Sequence, residues 1–125
     1  MLTDRGLDAA LSAIVTRCPV PVTLAVDVPT RLPAAVESAA YFVVAEALTN
    51  VARHARASRA QVTIALQNNR LVVEVSDDGI GGADAGRGTG LTGLADRVAA
   101  LDGWMAVLSP VQGPTSVVVE LPCGS

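Results

Sequence analysis

Residues 70–82 read RLVVEVSDDGIGG, and the fold turns on how this stretch divides. From Arg70 to Asp77 the large aliphatics Leu71, Val73 and Val75 recur at every second position, the period of a strand with one buried face. The alternation stops at two adjacent carboxylates, Asp77 and Asp78. Glycine then takes over, supplying seven of the fifteen residues from Gly79 to Gly93. An acid at a strand end beside glycines can serve as a turn former. Gly79, Gly81 and Gly82 also clear the backbone for close approach of a flat ligand.

Working outward, the residues before this strand complete a hairpin. AQVTIAL, residues 60–66, places Val62, Ile64 and Leu66 on one face. Asn68 and Asn69 supply the turn, because Asn tolerates positive φ. Downstream, GRGTGLTGL at 86–94 runs into a helix predicted over Leu91 to Leu101. Glycines ahead of a helix expose backbone N–H groups that attract an anion. WMAVLS and TSVVVELP then read as two closing strands. Upstream, TDRGLDAALSAIVTR at 3–17 reads as a helix with Leu7, Ala10, Leu11, Ile14 and Val15 on one face, ended by Pro19 and Pro21. VTLAVDV follows as a strand. A second helix is predicted from about 33 to 55, with Pro33 in its first turn and Val36, Ala40, Val43, Ala47, Leu48 and Val51 forming the apolar stripe. The order α-β-α-β-β-loop-α-β-β predicts one domain over residues 1–125. Its fold class is an α/β (α+β) two-layer sandwich, a mixed, mostly antiparallel sheet with about three helices on one face.

Composition narrows the function classes. Half of the 125 residues are hydrophobic and 2 % are aromatic, so a core of Val, Leu, Ala and Ile is required. The net charge of -3 leaves no basic footprint for nucleic acid. All nine cations are arginine, so any side chain that holds phosphate is a guanidinium. No stretch reaches the length of a membrane span and no signal peptide opens the chain, which predicts no membrane contact by this segment and a cytoplasmic location, either free or as the cytoplasmic part of a protein whose membrane anchor lies outside this segment. Compartment rules favour two thiols over a disulfide for Cys18 and Cys123.

The second helix carries an unusual flank. In EALTNVARHA, Glu46 and Asn50 are four residues apart and share a face, which Arg53 and His54 continue. Polar helix faces are ordinarily solvated, so spacing alone assigns this flank no chemistry. At the strand end, a carboxylate can accept a hydrogen bond from an exocyclic amine such as that of adenine.

Taken together, EALTNVARHA, DDGIGG and GTGLTGL resemble the N box and two glycine boxes of the ATP-binding domain of sensor histidine kinases, the GHKL or Bergerat-fold ATPases. The segment ADRVAALDGWMAVLSPVQGPTSVVVELP resembles the end of this domain in the nitrate- and desaturase-sensor subfamily. The resemblance covers nearly the whole chain. It implies that Asn50 gives its carbonyl to Mg²⁺ and that Glu46 orients a water or acts as base near the γ-phosphate of ATP. It implies that Arg53, where the family often has Lys, contacts phosphate, and that His54 lines the nucleotide site. The resemblance further implies that Asp77 reads the adenine amino group and that Gly79 and Gly81 make room for the base. It implies too that Gly88, Gly90 and Leu91 form the lid beside the phosphates and that Thr115 supports the adenine end through water.

Two departures stand out. Only five residues, Ala83 to Arg87, separate Gly82 from Gly88 and none is aromatic, so a phenylalanine box is lacking. GPT at 113–115 replaces the usual glycine pair and Thr. The resemblance also implies a homodimeric full-length kinase. Its dimerisation and phosphoacceptor region precedes the ATPase part, and a response regulator receives the phosphoryl group. The only histidine, His54, lies in the nucleotide box, so the expectation is a segment that binds ATP without phosphorylating itself on histidine. Two rivals share the fold, an anti-sigma-factor serine kinase and a non-catalytic interaction module. LADRVAALDG favours the sensor-kinase subfamily over the first, and Glu46, Asn50 and Asp77 together argue against the second.

Overall fold

A computed structural model describes residues 6–28, 32–54, 57–79, 91–108 and 115–123. The elements are α1 (Gly6–Arg17), β1 (Val22–Asp27), α2 (Ala34–His54), β2 (Ala60–Gln67), β3 (Arg70–Asp77), α3 (Leu91–Ala100), β4 (Trp104–Leu108) and β5 (Thr115–Pro122). The sheet runs β1-β2-β3-β5-β4. β1 and β2 pair in parallel and every other neighbouring pair is antiparallel. This is the expected mixed sheet in a two-layer α/β arrangement. The parallel pair needs a long crossover connection, which α2 supplies.

Side-chain alternation assigns the layers. Val62, Ile64, Leu71, Val73, Val75, Val117, Val119 and Leu121 are buried on one sheet face. They join Leu7, Leu11, Val36, Ala40, Val43, Val44, Ala47, Leu48, Val51, Leu94 and Val98 of the helices in one core. The opposite face presents Thr23, Gln61, Thr63, Arg70 and Glu74 to solvent. Burial of each Val or Leu side chain contributes about 1.5–3 kcal/mol, so the small-residue stripe of α2 is the main helical contribution to the core.

Local chemistry fixes the element ends. Asn68 and Asn69 adopt φ of 52° and 64°, the two successive positive values of a type I′ turn. The Pro33 carbonyl accepts from the N–H groups of Val36 and Glu37 at 3.0 and 3.1 Å. Pro33 therefore stands just before α2 and caps it, one position earlier than the first-turn place expected. Buried Glu37 folds back to accept from the Leu32 N–H at 3.2 Å. At the end of α3 the Gly103 N–H bonds the Val98 carbonyl at 2.8 Å and the Asp102 N–H bonds Ala99 at 3.0 Å, with Asp102 at φ 60°. This is a Schellman cap. Cys18 and Cys123 are free thiols, as expected. Among the described residues no helix is long and apolar enough to cross a membrane.

Candidate functional site

The end of β3 and the outer flank of α2 supply the candidate site. Strand alternation turns the Asp77 side chain to the helix-covered face, in line with Val73 and Val75, and only 7 % of the residue is exposed. Its Oδ1 accepts the Gly79 N–H at 2.7 Å, an Asx turn that closes the strand where the glycines begin. Burial pushes the Asp77 carboxyl above the ordinary aspartate range, and the neighbouring charge of Asp78 adds to this. Hydrogen bonds from the backbone of Gly79 and of Thr115 oppose it. Thr115 stands directly opposite Asp77 in the β3–β5 register. Two residues far apart in sequence thus share one end of the sheet.

On α2, Glu46 and Asn50 are both half-buried. The Asn50 Nδ2 is buried with no hydrogen-bond partner. A buried amide without a partner costs roughly 1–3 kcal/mol, so a ligand that satisfies it is favoured. A half-turn of the amide exchanges its two ends, so the same position can present either N–H or carbonyl. Among the described residues no three His, Cys, Asp or Glu side chains converge as a metal cage. A single amide oxygen suits a hard ion completed by water and phosphate oxygens.

Other expected site residues are placed less fully. Arg53 and His54 end α2, but their side chains lie outside the described residues, as does that of Leu91 at the start of α3. Gly81, Gly88 and Gly90 lie outside them altogether. Gly79 is described and donates to Asp77.

Sequence reasoning passed over Asp78, which turns the other way. Its Oδ1 accepts the N–H groups of Ser58 and Arg59 at 2.8 and 3.1 Å, and its Oδ2 accepts the Ser58 hydroxyl. These bonds, the Ser58 hydroxyl foremost and then the Arg59 N–H, lower its pKa to about 2. Asp78 thus ties the end of β3 to the segment that follows α2, holding the two site-bearing elements together. The signal was present in the strand period, which sends adjacent acids to opposite faces. A hollow of about 400 Å³, lined by Thr23, Arg59, Gln61 and Ser76 among others, lies on that second face. It is separated by the sheet from Glu46 and Asn50.

The chain is 32 % identical to the oxygen sensor histidine kinase NreB of Staphylococcus carnosus, over 97 % of this chain and 38 % of that protein. It is 35 % identical to the sensor histidine kinase NarS of Mycobacterium tuberculosis, over 98 % of this chain and 31 % of that protein. The chain therefore spans about two fifths or less of the length of these relatives. The blue-light activated histidine kinase of Erythrobacter litoralis EL346 superposes with a TM-score of 0.73 at 26 % identity, covering 94 % of this chain and 40 % of that one. The profile of the "Histidine kinase-, DNA gyrase B-, and HSP90-like ATPase" family matches residues 35–125, from the second residue of α2 to the end of the chain, and the chain belongs to that family.

Proposed function

We propose that this chain is the Mg²⁺- and ATP-binding catalytic domain of a two-component sensor histidine kinase, supplying the γ-phosphate to a histidine on a separate helical region. The observation that carries the reading is the Asp77 carboxyl. It is buried on the helix side of the sheet, opposite Thr115, where a strand opens into glycines. A carboxylate in that position suits the exocyclic amine of adenine and offers nothing to the carbonyl that guanine carries there. Kinship to sensor histidine kinases supports histidine as the acceptor.

Each residue has a separate duty. Asn50, whose amide nitrogen is buried without a partner, would hold Mg²⁺ through its amide oxygen after a half-turn of the amide. The ion, when bound, neutralises charge on the phosphate oxygens. Glu46, one helical turn away, accepts the proton from the attacking imidazole or orients a water. Arg53 is assigned to phosphate, His54 to the nucleoside, and Gly79 and Gly81 to the base. Gly88, Gly90 and Leu91 meet the phosphates ahead of α3. Thr115 supports the adenine end beside Asp77. In the full-length protein the further partners are a dimerisation and phosphoacceptor region and a response regulator.

Calorimetric titration with a non-hydrolysable ATP analogue tests the metal assignment. Mg²⁺ should strengthen binding to the native chain, and Asn50→Ala should remove most of that gain while leaving metal-free binding nearly unchanged. An undiminished Mg²⁺ effect in the variant would assign the metal elsewhere.

A further inference from the structure

Arg97 and Phe42 form a pair that none of the three boxes includes. The guanidinium carbon of Arg97 lies 4.1 Å from the centroid of the Phe42 ring, and Tyr41 meets the same ring edge-on with centroids 5.9 Å apart. These are two of only three aromatic residues in the chain, and Phe42 is the only phenylalanine. Phe42 nevertheless remains 39 % exposed. A ring so placed is a seat for a cation more than a filler of the core.

The seat lies beside the proposed reaction centre. Phe42, Glu46 and Asn50 follow at intervals of four on α2 and share one flank, with roughly 5–6 Å between the Cβ atoms of successive members. Arg97 comes six residues after Leu91, about 9 Å along α3. Long helical side chains lean back towards the helix N-terminus, so the guanidinium of Arg97, which stands in the last turn of α3, reaches back along the helix to Phe42. Arg97 is exposed, and no carboxylate among the described residues pairs with it. An unpaired arginine in an acidic chain without lysine is thus held over Phe42, one helical turn from Glu46 and two from Asn50 along α2.

We propose that Arg97 is a γ-phosphate-contacting residue of the nucleotide site, and that Phe42 is its positioning residue, stacking on the guanidinium so that the charge-bearing edge stays free. The inference rests on the nucleotide reading given above. It assigns to Arg97 the discrimination of ATP from ADP, because ADP ends one phosphate short of this side of the site. Arginine suits the task, since its planar fork can stack on a ring and bond phosphate oxygens at once.

Paired titrations of the whole chain with Mg²⁺–AMPPNP and Mg²⁺–ADP test it. Arg97→Ala should weaken AMPPNP about tenfold or more, the loss of a charge-assisted hydrogen bond, and change ADP by less than about twofold. Phe42→Leu keeps an apolar side chain without the ring and should shift the same ratio in the same direction by a smaller factor. Arg97→Lys, which keeps the charge and loses the stacking fork, should fall between native and alanine. Equal weakening of both nucleotides, or none, would overturn the proposal, and retained ADP binding in every variant would show that the site itself persists. Failure of the native chain to bind either nucleotide would instead overturn the nucleotide reading.

Discussion

Asp77 and Asp78 are chemically identical neighbours driven in opposite directions. Burial raises the carboxyl of Asp77, whereas hydrogen bonds lower that of Asp78 to about 2. The consequences for stability have opposite signs. Asp78 stabilises the fold above the unfolded aspartate pKa, and that contribution disappears as pH falls from about 4 towards about 2. Asp77 has its folded pKa raised, so its ionised form is a cost to the empty protein that is relieved as pH falls through that raised pKa. Asp77→Asn retains an oxygen for the Gly79 N–H and removes the charge. It should therefore melt at the same or a higher temperature than the native protein at neutral pH without nucleotide, the difference shrinking on acidification. The same variant should bind ATP less well than native by a larger factor than it loses for GTP. A variant that loses ATP and GTP equally would show that the carboxylate does not read the base. Such a trade of stability for binding is what a functional carboxylate held in a dry place produces.

At the scale of elements, the close of α3 is as exacting as the site. A Cβ on Gly103 would lie 2.6 Å from the Glu120 carbonyl oxygen and 2.9 Å from side-chain atoms of both Leu121 and Val98. The first of these is backbone in β5, which cannot move without disturbing the ladder to β3 and β4. Gly103→Ala should cost about 1–3 kcal/mol, the usual penalty of overpacking, read as a lower denaturant midpoint. An Ala at exposed Gly93, where an added Cβ meets nothing within 4 Å, should be neutral or slightly stabilising. Equal stability of the two variants would contradict this account of the cap. Elements were legible in the sequence where the cause is local. The paired asparagines announced the turn at 68–69, and the aliphatic stripe of α2 appeared in the core as read. The pairing of β1 with β2 across a 21-residue helix, and the insertion of β5 between β3 and β4, depend on long-range contacts that no local pattern encodes. Pro33 was displaced by one position because its carbonyl, which the ring leaves free, is used to cap α2.

For the molecule as a whole, one sheet end gathers what the sequence scatters. Asp77 and Thr115 were each legible as candidates through their motifs. Their adjacency was not, because it follows from antiparallel register between residues 38 positions apart. Glu46 and Asn50 were legible as a pair from helical spacing, while the buried, unpartnered state of the Asn50 amide is a property of packing alone. Arg97 escaped notice because its partner lies on another helix. The two-layer fold therefore brings Asp77, Glu46 and Asn50, the groups proposed for base, proton transfer and metal, onto neighbouring elements, with Asp78 bracing the strand against the connection after α2.

The central claim is that this assembly binds ATP, and thermal or denaturant unfolding of the chain with Mg²⁺ and a non-hydrolysable ATP analogue tests it most directly. A ligand present at a hundredfold its dissociation constant should add about 2.7 kcal/mol to the stability of a cooperatively unfolding chain. An unchanged transition in cooperatively folded protein at millimolar nucleotide would contradict the account.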